Sequence, residues 1–249
     1  MLKSIDIKTD CVVKALTKCK KAIGIIGGMG PLATADLFRK IVVNTKADND
    51  QEHIKILIDN NTNIPDRTKA IVQNGKSPVP QLVKSATSLW IMGAELLVMP
   101  CNTAHYFHSQ VQNAVDIPVL NMIEITRNAL TKRGVRRAGL LATDGTINSG
   151  IYQSVFAGSE TDLVLPDTDG QKAVMDMIYN GVKAGKKEYN TSTVKKAIGK
   201  MISDGVETLI LGCTELPLAA DMYSLDYPTC DPTLELARGA IIAANGICI

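Results

Sequence analysis

Short apolar runs alternate with amphipathic stretches along this chain of 249 residues. The runs at 22–26 and 54–58 have the length of buried strands, and each is followed by a polar turn or loop. Helical spacing of apolar residues follows near 34–45 and again near 81–92, and a further apolar run then leads into Cys101. Strands that alternate with helices are typical of parallel sheets, so the pattern predicts an α/β fold.

Three segments of the first half recur in the same order in the second half. The offsets between partners are 115, 112 and 110 residues, a slow drift that is typical of duplication with small insertions and deletions. Short apolar strands resemble one another, so coincidence is the alternative. The matched pairs are 24–30 with 139–145, Cys101 with Cys213, and 116–121 with 226–231.

The repeat predicts two pseudo-symmetric parallel-sheet α/β domains. Ligands of open α/β sheets bind beyond the carboxyl ends of the strands, so the active site is expected in the cleft between the domains. Cys101 and Cys213 would then lie on opposite walls of that cleft. The predicted segments are an N-terminal extension (1–20), a first domain (21–116 plus 226–249) and a second domain (117–225).

Six cysteines occur in the chain, and two of them stand out by position. Cys101 and Cys213 each end an apolar run and precede a polar residue that is expected to begin a helix. The backbone N–H groups and the dipole at such a helix start favour a thiolate. The other four are predicted to be ordinary: Cys230 and Cys248 as buried small hydrophobes, Cys11 and Cys19 as exposed residues of a basic extension.

The glycine turn after the first strand allows two interpretations. Residues 28–33 match the loose pattern G-x-G-x-x-G/A, which is a hypothesis for a nucleotide-dependent enzyme. A tight turn that binds a small anion, with Pro31 at the first helical position, explains the same glycines equally well. In the polar loop 60–68, Arg67 offers a fork suited to a carboxylate, or it simply pairs with Asp66.

Two residues close to the cysteines also have two interpretations. His105 follows Cys101 by four residues, so a Cys–His nucleophilic pair is conceivable, but a tuning or structural role is the prediction. Glu215 follows Cys213 by two residues and either caps the next helix or orients a substrate, with capping as the prediction.

Composition excludes several classes of function. The net charge of +2, the aromatic content of 4% and the lack of a Lys/Arg stripe argue against nucleic acid as a partner. No stretch approaches the roughly 18 apolar residues that a membrane span needs, and the N-terminus has no signal-peptide h-region. Cysteine and histidine spacing predicts no metal site. A cytoplasmic protein is expected.

Four motifs together resemble those of the aspartate/glutamate racemase superfamily, and most of all its aspartate racemase branch. The resemblance extends from about residue 22 to the end of the chain, and the two cysteine motifs in this order are specific to it. The motifs are Gly-Gly-Met-Gly-Pro at 27–31, Ile-Pro-Asp-Arg-Thr at 64–68, Met-Pro-Cys-Asn-Thr-Ala-His at 99–105 and Gly-Cys-Thr-Glu at 212–215.

This resemblance implies a homodimeric amino-acid racemase that needs neither pyridoxal phosphate nor any other cofactor. Cys101 and Cys213 would be its catalytic pair, one removing the α-proton and the other returning a proton to the opposite face. Arg67 and Lys183 match positions that meet the side-chain carboxylate in aspartate racemases. The implied substrate-binding residues are Met29, Gly30, Asn61, Arg67, Asn102, Thr103, Thr143, Thr146, Lys183, Thr214 and Glu215.

Two departures point away from glutamate as the substrate. Glutamate racemases carry an Asp-Ser pair in the first glycine turn and a histidine after the Cys-Thr of the second motif, whereas this chain has Gly28-Met29 and Glu215. Interconversion of L- and D-aspartate is therefore the predicted activity. The alternatives are a broad-specificity amino-acid racemase that includes glutamate, and a non-catalytic amino-acid-binding protein on the same fold.

Overall fold

The computed structural model describes residues 19–249. The predicted exposure of Cys11, and all but the last two residues of the predicted extension 1–20, lie outside the described residues. Cys19 is exposed and Cys230 is buried, as predicted, while Cys248 is only half-buried. Among the helices of the described part of the chain, none is long and apolar enough to cross a bilayer.

The first half of the described chain forms a three-stranded parallel sheet flanked by helices. Its elements are β1 (Ile23–Gly27), α1 (Pro31–Asn44), a 3₁₀ turn (Asp50–Glu52), β2 (Ile56–Asn60), α2 (Arg67–Val72), α3 (Val79–Ile91), β3 (Leu96–Val98), a second 3₁₀ turn (Thr103–Phe107), α4 (His108–Gln112) and α5 (Met122–Lys132). The strand order is β2-β1-β3. The central strand is buried on both faces, which explains its run of isoleucine and glycine.

The second half forms a four-stranded parallel sheet, and its elements are numbered on in chain order. They are β4 (Arg137–Ala142), α6 (Asp144–Asn148), α7 (Ile151–Phe156), β5 (Asp162–Val164), α8 (Thr168–Asp176), a π-helix (Met177–Val182), α9 (Ser192–Ser203), β6 (Thr208–Gly212), α10 (Leu216–Met222), β7 (Thr229–Cys230) and α11 (Pro232–Ala243). The strand order of this sheet is β5-β4-β6-β7. Both sheets are parallel throughout, so the α/β fold class predicted from the sequence is confirmed.

The strand orders of the two sheets follow the predicted repeat. β1 and β4 are central, β2 and β5 lie on one side, and β3 and β6 lie on the other. Beyond β3, Val119 forms a parallel bridge with Leu97, in the place that β7 takes beside β6. Matched positions in the two halves therefore follow matched strands.

The bridge at Val119 and strand β7 occupy the fourth position of the first and second sheet, respectively. After each of them, the chain enters a helix that packs on the other half. The side chain of Asn121 caps the start of α5, and Ile123 and Leu130 of this helix pack in a core with β4 and β6. Asp231 caps α11 in the same way, and this helix packs against β1 and β3. Residues after 226 therefore contribute a strand to the second sheet and a helix to the core of the first.

Candidate active site

Residues that follow β1, β3, β4 and β6 by one to three positions meet in one narrow cleft. All but three of the site residues predicted from the sequence line this cleft. The complete lining is Met29, Asp66, Arg67, Thr68, Cys101, Asn102, Thr103, Thr143, Tyr179, Lys183, Gly212, Cys213, Thr214 and Glu215.

Cys101 lies in a tight turn at the end of β3 and is only 6% exposed. Its backbone N–H donates to the carbonyl of Met99 at 2.8 Å, and its own carbonyl accepts from the N–H of Ala104 at 3.2 Å. The segment after it is the 3₁₀ turn Thr103–Phe107. The helix expected after Cys101 therefore begins with Asn102 as its N-cap, but its first segment is a 3₁₀ turn and the α-helical segment α4 starts only at His108.

His105 is buried and supports the backbone of Cys101. Its Nε2 accepts from the N–H of Met122 at 3.0 Å, so the ring proton is on Nδ1, which lies 2.9 Å from the carbonyl of Cys101. Burial lowers the pKa of His105 to about 4. The imidazole is thus neutral and joins the Cys101 turn to the start of α5, as the predicted structural role requires.

Cys213 lies at the end of β6 and is 8% exposed. Its Sγ donates to Oε2 of Glu215 at 2.9 Å. Burial raises the pKa of the Cys213 thiol well above its usual value, the negative charge of Glu215 raises it further, and Lys183 opposes this only in part. The expectation that this junction favours a thiolate is therefore wrong for Cys213, because burial and the adjacent carboxylate outweigh the backbone N–H groups.

A chain of polar groups continues from Cys213 to the outer wall of the cleft. Oε1 of Glu215 lies 3.7 Å from Nζ of Lys183, and the hydroxyl of Thr214 donates to Oε2 at 3.2 Å. Nζ of Lys183 lies 4.6 Å from the centre of the Tyr179 ring. Burial lowers the pKa of Lys183, but nearby negative charge, that of Glu215 first, raises it, so the net shift is upward and the ammonium keeps its charge.

Arg67 lines the same cleft from the first half of the chain, and its guanidinium is anchored by backbone carbonyls. Its Nη1 donates to the carbonyl of Pro65 at 2.9 Å, and its Nη2 donates to the carbonyl of Met29 at 3.2 Å. Its Nε is buried and has no partner among the described residues. Asp66 instead caps α2 by accepting from the N–H of Lys69 at 2.7 Å. Pairing of Arg67 with Asp66, one of the two interpretations of this loop, is therefore wrong.

Asn102 presents a buried donor beside Cys101. The residue is 2% exposed, and its Oδ1 accepts from the hydroxyl of Tyr152 at 2.6 Å. This bond orients the amide, and within the described chain its Nδ2 is left buried without an acceptor. A buried N–H group without an acceptor is costly, and Asn102 is one of the residues that line the cleft.

Three threonine hydroxyls connect the two halves at the cleft. Oγ1 of Thr103 lies 2.8 Å from Oγ1 of Thr146 and 3.4 Å from Oγ1 of Thr143. Thr103 and Thr143 line the cleft, whereas Thr146 is fully buried behind them. Close packing supports the same junction, since a Cβ at Gly145 would lie only 2.5 Å from Oγ1 of Thr68.

Gly30, Asn61 and Thr146 are the predicted site residues that lie outside the lining of the described cleft. The amide of Asn61 donates to Gln81 at 3.2 Å and to Ser85 at 3.0 Å. Its backbone also fixes the glycine turn, because a Cβ at Gly28, where φ is +88°, would lie 2.4 Å from the Asn61 carbonyl. The glycine at position 28 is thus required by the protein's own backbone.

Sequence reasoning missed four residues of the lining. Asp66 and Thr68 flank Arg67 in the polar loop, and Gly212 directly precedes Cys213, so all three belonged to motifs already singled out. Tyr179 lies four residues before Lys183, and this spacing places two residues on the same face of a helix. That spacing is a weaker signal than a motif. The π-helix that carries Tyr179 is a form frequently found at functional sites.

The sequence profile of the Asp/Glu/hydantoin racemase family matches residues 26–240, and the chain belongs to this family. Its fold and cleft are accordingly those of an amino-acid racemase of the Asp/Glu type. This assignment confirms the resemblance derived from the four motifs and disfavours the dinucleotide-binding interpretation of residues 28–33.

Three relatives show how similar this chain is to individual racemases. The aspartate racemase of Picrophilus torridus is 33% identical, with a TM-score of 0.81 over 92% of this chain and 96% of that one. The broad specificity amino-acid racemase RacX of Bacillus subtilis is 27% identical over 88% of this chain and 96% of that protein. Glutamate racemase of Francisella tularensis, solved with D-glutamate, shares the fold with a TM-score of 0.65 over 90% of this chain and 81% of that one, but only 18% identity.

Proposed function

We propose that this racemase interconverts L- and D-aspartate without a cofactor, using Cys101 and Cys213 as its two proton-transfer groups. The observation that carries the proposal is that both buried thiols line one cleft, each from the end of an equivalent strand of its own sheet. Two acid–base groups on facing walls are what inversion at a carbon requires, because one face of Cα must lose a proton while the other gains one.

The reaction needs strong electrostatic support, because the α-proton of an amino acid is a very weak acid. As one thiolate removes it, negative charge moves from Cα into the α-carboxylate. Nδ2 of Asn102 and the hydroxyl of Thr103 are the donors that we assign to this carboxylate. Donors held in place before the reaction stabilise such a developing charge most effectively in a site with little water.

Preference for an acidic side chain rests on two cations. Arg67 and Lys183 are contributed by different halves of the chain and line the same cleft. The unpartnered Nε of Arg67 supports this role, since a carboxylate can accept from Nε and a terminal nitrogen together. Aspartate, with two carboxylates, is the amino acid whose charge best matches this pair.

Broad specificity is the second candidate. The match to RacX, whose name states broad specificity, extends over 96% of that protein. Glutamate and neutral amino acids would then turn over at rates similar to that of aspartate. A protein that only binds amino acids would show affinity for them without exchange of the α-hydrogen.

One experiment distinguishes these candidates. L-aspartate, L-glutamate and L-alanine are each incubated with the purified protein in D₂O without added cofactor, and optical rotation and α-deuteration are followed. We expect loss of rotation and incorporation of α-deuterium for aspartate, and much slower change for alanine. The Cys101→Ser/Cys213→Ser double variant is the matched control. Equal rates for all three substrates would favour broad specificity, and binding without deuteration would contradict racemisation.

The homodimer implied by the family resemblance stays a prediction, and so does the cytoplasmic location. Light scattering of the purified protein tests the first, because a dimer would have twice the 26.7 kDa mass of one chain.

A further inference from the structure

The two cysteines of the cleft are buried to nearly the same extent but have different neighbours. Cys101 is 6% and Cys213 is 8% exposed. Sγ of Cys213 donates to Oε2 of Glu215 at 2.9 Å. Among residues 19–249, the polar contacts of Cys101 are made by its backbone, to Met99, Ala104 and His105. Equal burial with unequal partners predicts unequal proton affinity.

We infer that Glu215 is a positioning residue that keeps Cys213 in the thiol form in the free enzyme, so that the free enzyme is prepared for the enantiomer whose α-hydrogen faces Cys101, with Cys101 as the base. The inference deepens the proposed function and rests on its two-thiol mechanism. It gives Glu215 a role in proton placement rather than in capping α10 or contacting the substrate.

The geometry of Glu215 supports this assignment. A thiol at position 213 donates its proton to the carboxylate, whereas a thiolate there would place two negative charges in direct contact. Lys183 pairs with the other carboxylate oxygen at 3.7 Å, so the carboxylate lies between an ammonium group and the thiol proton. The titratable or charged groups that line the cleft with Cys213 are Glu215, Lys183, Tyr179, Cys101, Arg67 and Asp66.

Of these groups, only Glu215 accepts a hydrogen bond from Sγ of Cys213 within the described chain. Lys183 acts in the opposite direction, because its positive charge would stabilise a Cys213 thiolate, but it reaches Cys213 through Glu215 rather than by direct contact. The net effect favours the thiol.

The proton inventory of one turnover is balanced. For the enantiomer whose α-hydrogen faces Cys101, the Cys101 thiolate takes the α-proton and becomes a thiol, and the electron pair of the broken Cα–H bond is held by Cα and the α-carboxylate. The S–H bond of Cys213 then breaks, its proton forms the new Cα–H bond on the other face, and Cys213 becomes a thiolate. Before the next turnover Cys101 loses a proton to water and Cys213 gains one, and Glu215 favours this return.

Alkylation of the substrate-free protein tests the assignment. Iodoacetamide reacts with thiolates, and peptide mass spectrometry follows Cys101 and Cys213 separately between about pH 6 and pH 10, the range around a cysteine's usual pKa. The readout is the midpoint of each rate–pH profile, which is independent of how accessible each sulfur is. We expect the Cys213 midpoint to lie above a cysteine's usual pKa by at least one pH unit, which is about a tenfold lower thiolate fraction at a given pH.

Matched variants isolate the carboxylate. Glu215→Gln keeps the side-chain shape and removes the charge, and we expect it to raise the Cys213 alkylation rate near neutral pH by about tenfold or more, with the midpoint lowered. Glu215→Asp keeps the charge at a longer distance, so an intermediate midpoint is expected. Asp66→Asn removes a carboxylate from the same cleft that does not contact Cys213, and asparagine still caps α2.

Three results would overturn the inference: coinciding midpoints in the unmodified protein, a Cys213 midpoint unchanged by Glu215→Gln, or the same change produced by Asp66→Asn. Because alkylation needs no substrate, the outcome is independent of the deuteration experiment. A protein with unequal thiols but no racemisation would contradict only the proposed function. Racemisation by thiols with equal midpoints would contradict only the role of Glu215.

Discussion

The turns that carry Cys101 and Cys213 follow equivalent strands, yet the second residue after each cysteine differs in kind. Thr103 occupies this position in the first turn, and its hydroxyl lies 2.8 Å from that of Thr146 in the other half. Glu215 occupies it in the second, where it accepts from Cys213 and pairs with Lys183. One turn thus uses the position to join the two halves of the protein, and the other uses it to set a charge beside the thiol.

The fourth residue after each cysteine differs as well. His105 holds the carbonyl of Cys101 and the N–H of Met122, whereas its counterpart Pro217 lies in the first turn of α10. A neutral buried imidazole therefore stabilises one wall, and a helix start stabilises the other. The comparison teaches that a duplicated backbone can place two thiols symmetrically while single side chains make them chemically unequal.

Replacing one cysteine at a time tests whether the two turns act as a pair. We expect Cys101→Ser and Cys213→Ser each to lower the racemisation rate by at least about 10³-fold, because each removes one of the two proton-transfer groups. The remaining thiol can still exchange the α-hydrogen on its own face. Proton NMR in D₂O should therefore show each variant deuterating a different enantiomer without inverting it.

This exchange should be slower in Cys101→Ser than in Cys213→Ser, because Glu215 holds the remaining Cys213 as a thiol. Cys248→Ser, a cysteine outside the cleft, is the control and should leave racemisation unchanged. Substantial racemisation by either single cleft variant would contradict the two-thiol mechanism.

Acid unfolding tests whether the neutral, buried imidazole of His105 stabilises the first turn, a contribution that Pro217 cannot make in the second turn. The pKa of His105 is lowered by burial to about 4, below the value of about 6.5 in the unfolded chain. The unfolded state therefore binds more protons in this window, and the stability that the neutral ring provides is lost as pH falls from about 6.5 to about 4. The loss attributable to this group is about 3 kcal/mol.

Urea unfolding at several pH values measures this loss. His105→Gln cannot titrate, so its free energy of unfolding should fall less steeply over the same window than that of the unmodified protein. His53→Gln, in the turn before β2, is the control and should retain the steeper dependence. Parallel curves for His105→Gln and the unmodified protein would show that His105 does not carry the effect.

Arg67 and Lys183 provide a comparison between the two cations of the cleft. A charge-assisted hydrogen bond contributes roughly 1.5–3 kcal/mol, so we expect Arg67→Ala to lower kcat/KM for aspartate by about 10- to 100-fold. Alanine lacks the second carboxylate and should be affected much less. Lys183→Ala should be less selective, because Lys183 also pairs with Glu215 beside Cys213.

Steady-state kinetics with both substrates measure the selectivity as the ratio of the two kcat/KM values. Any loosening of the loop after loss of the Arg67 bonds to Pro65 and Met29 affects both substrates and cancels in this ratio. An unchanged ratio in Arg67→Ala would mean that Arg67 does not recognise the side-chain carboxylate.

Local sequence patterns were sufficient to predict many of the strands and helices. The run at 22–26 became β1 with a shift of one residue, and Pro31 starts α1, the first helical position expected for it. Boundaries moved by a few residues elsewhere, since helix ends depend on caps and on packing. The helix expected after Cys101 begins as a 3₁₀ turn rather than as an α-helix, and periodicity does not report this difference in local hydrogen bonding.

The side-chain contacts of the candidate site could be predicted less well from the sequence. Arg67 and Asp66 are neighbours with opposite charges, yet each found a different partner in space: backbone carbonyls for the first and the start of α2 for the second. Asn61 belongs to the polar loop but turns toward Gln81 and Ser85. Tyr152, which orients the amide of Asn102, lies fifty residues away and carried no motif.

Short motifs and local periodicity were enough to predict the family, the alternation of strands and helices, and the position of two cysteines at matched strand ends. The tertiary structure alone decided which groups are buried together in the cleft. Burial and a carboxylate 2.9 Å from Sγ raise the pKa of Cys213, against the thiolate expected from its position at a helix start. Proton affinity depends on desolvation and on charges across space, and neither is encoded by local spacing.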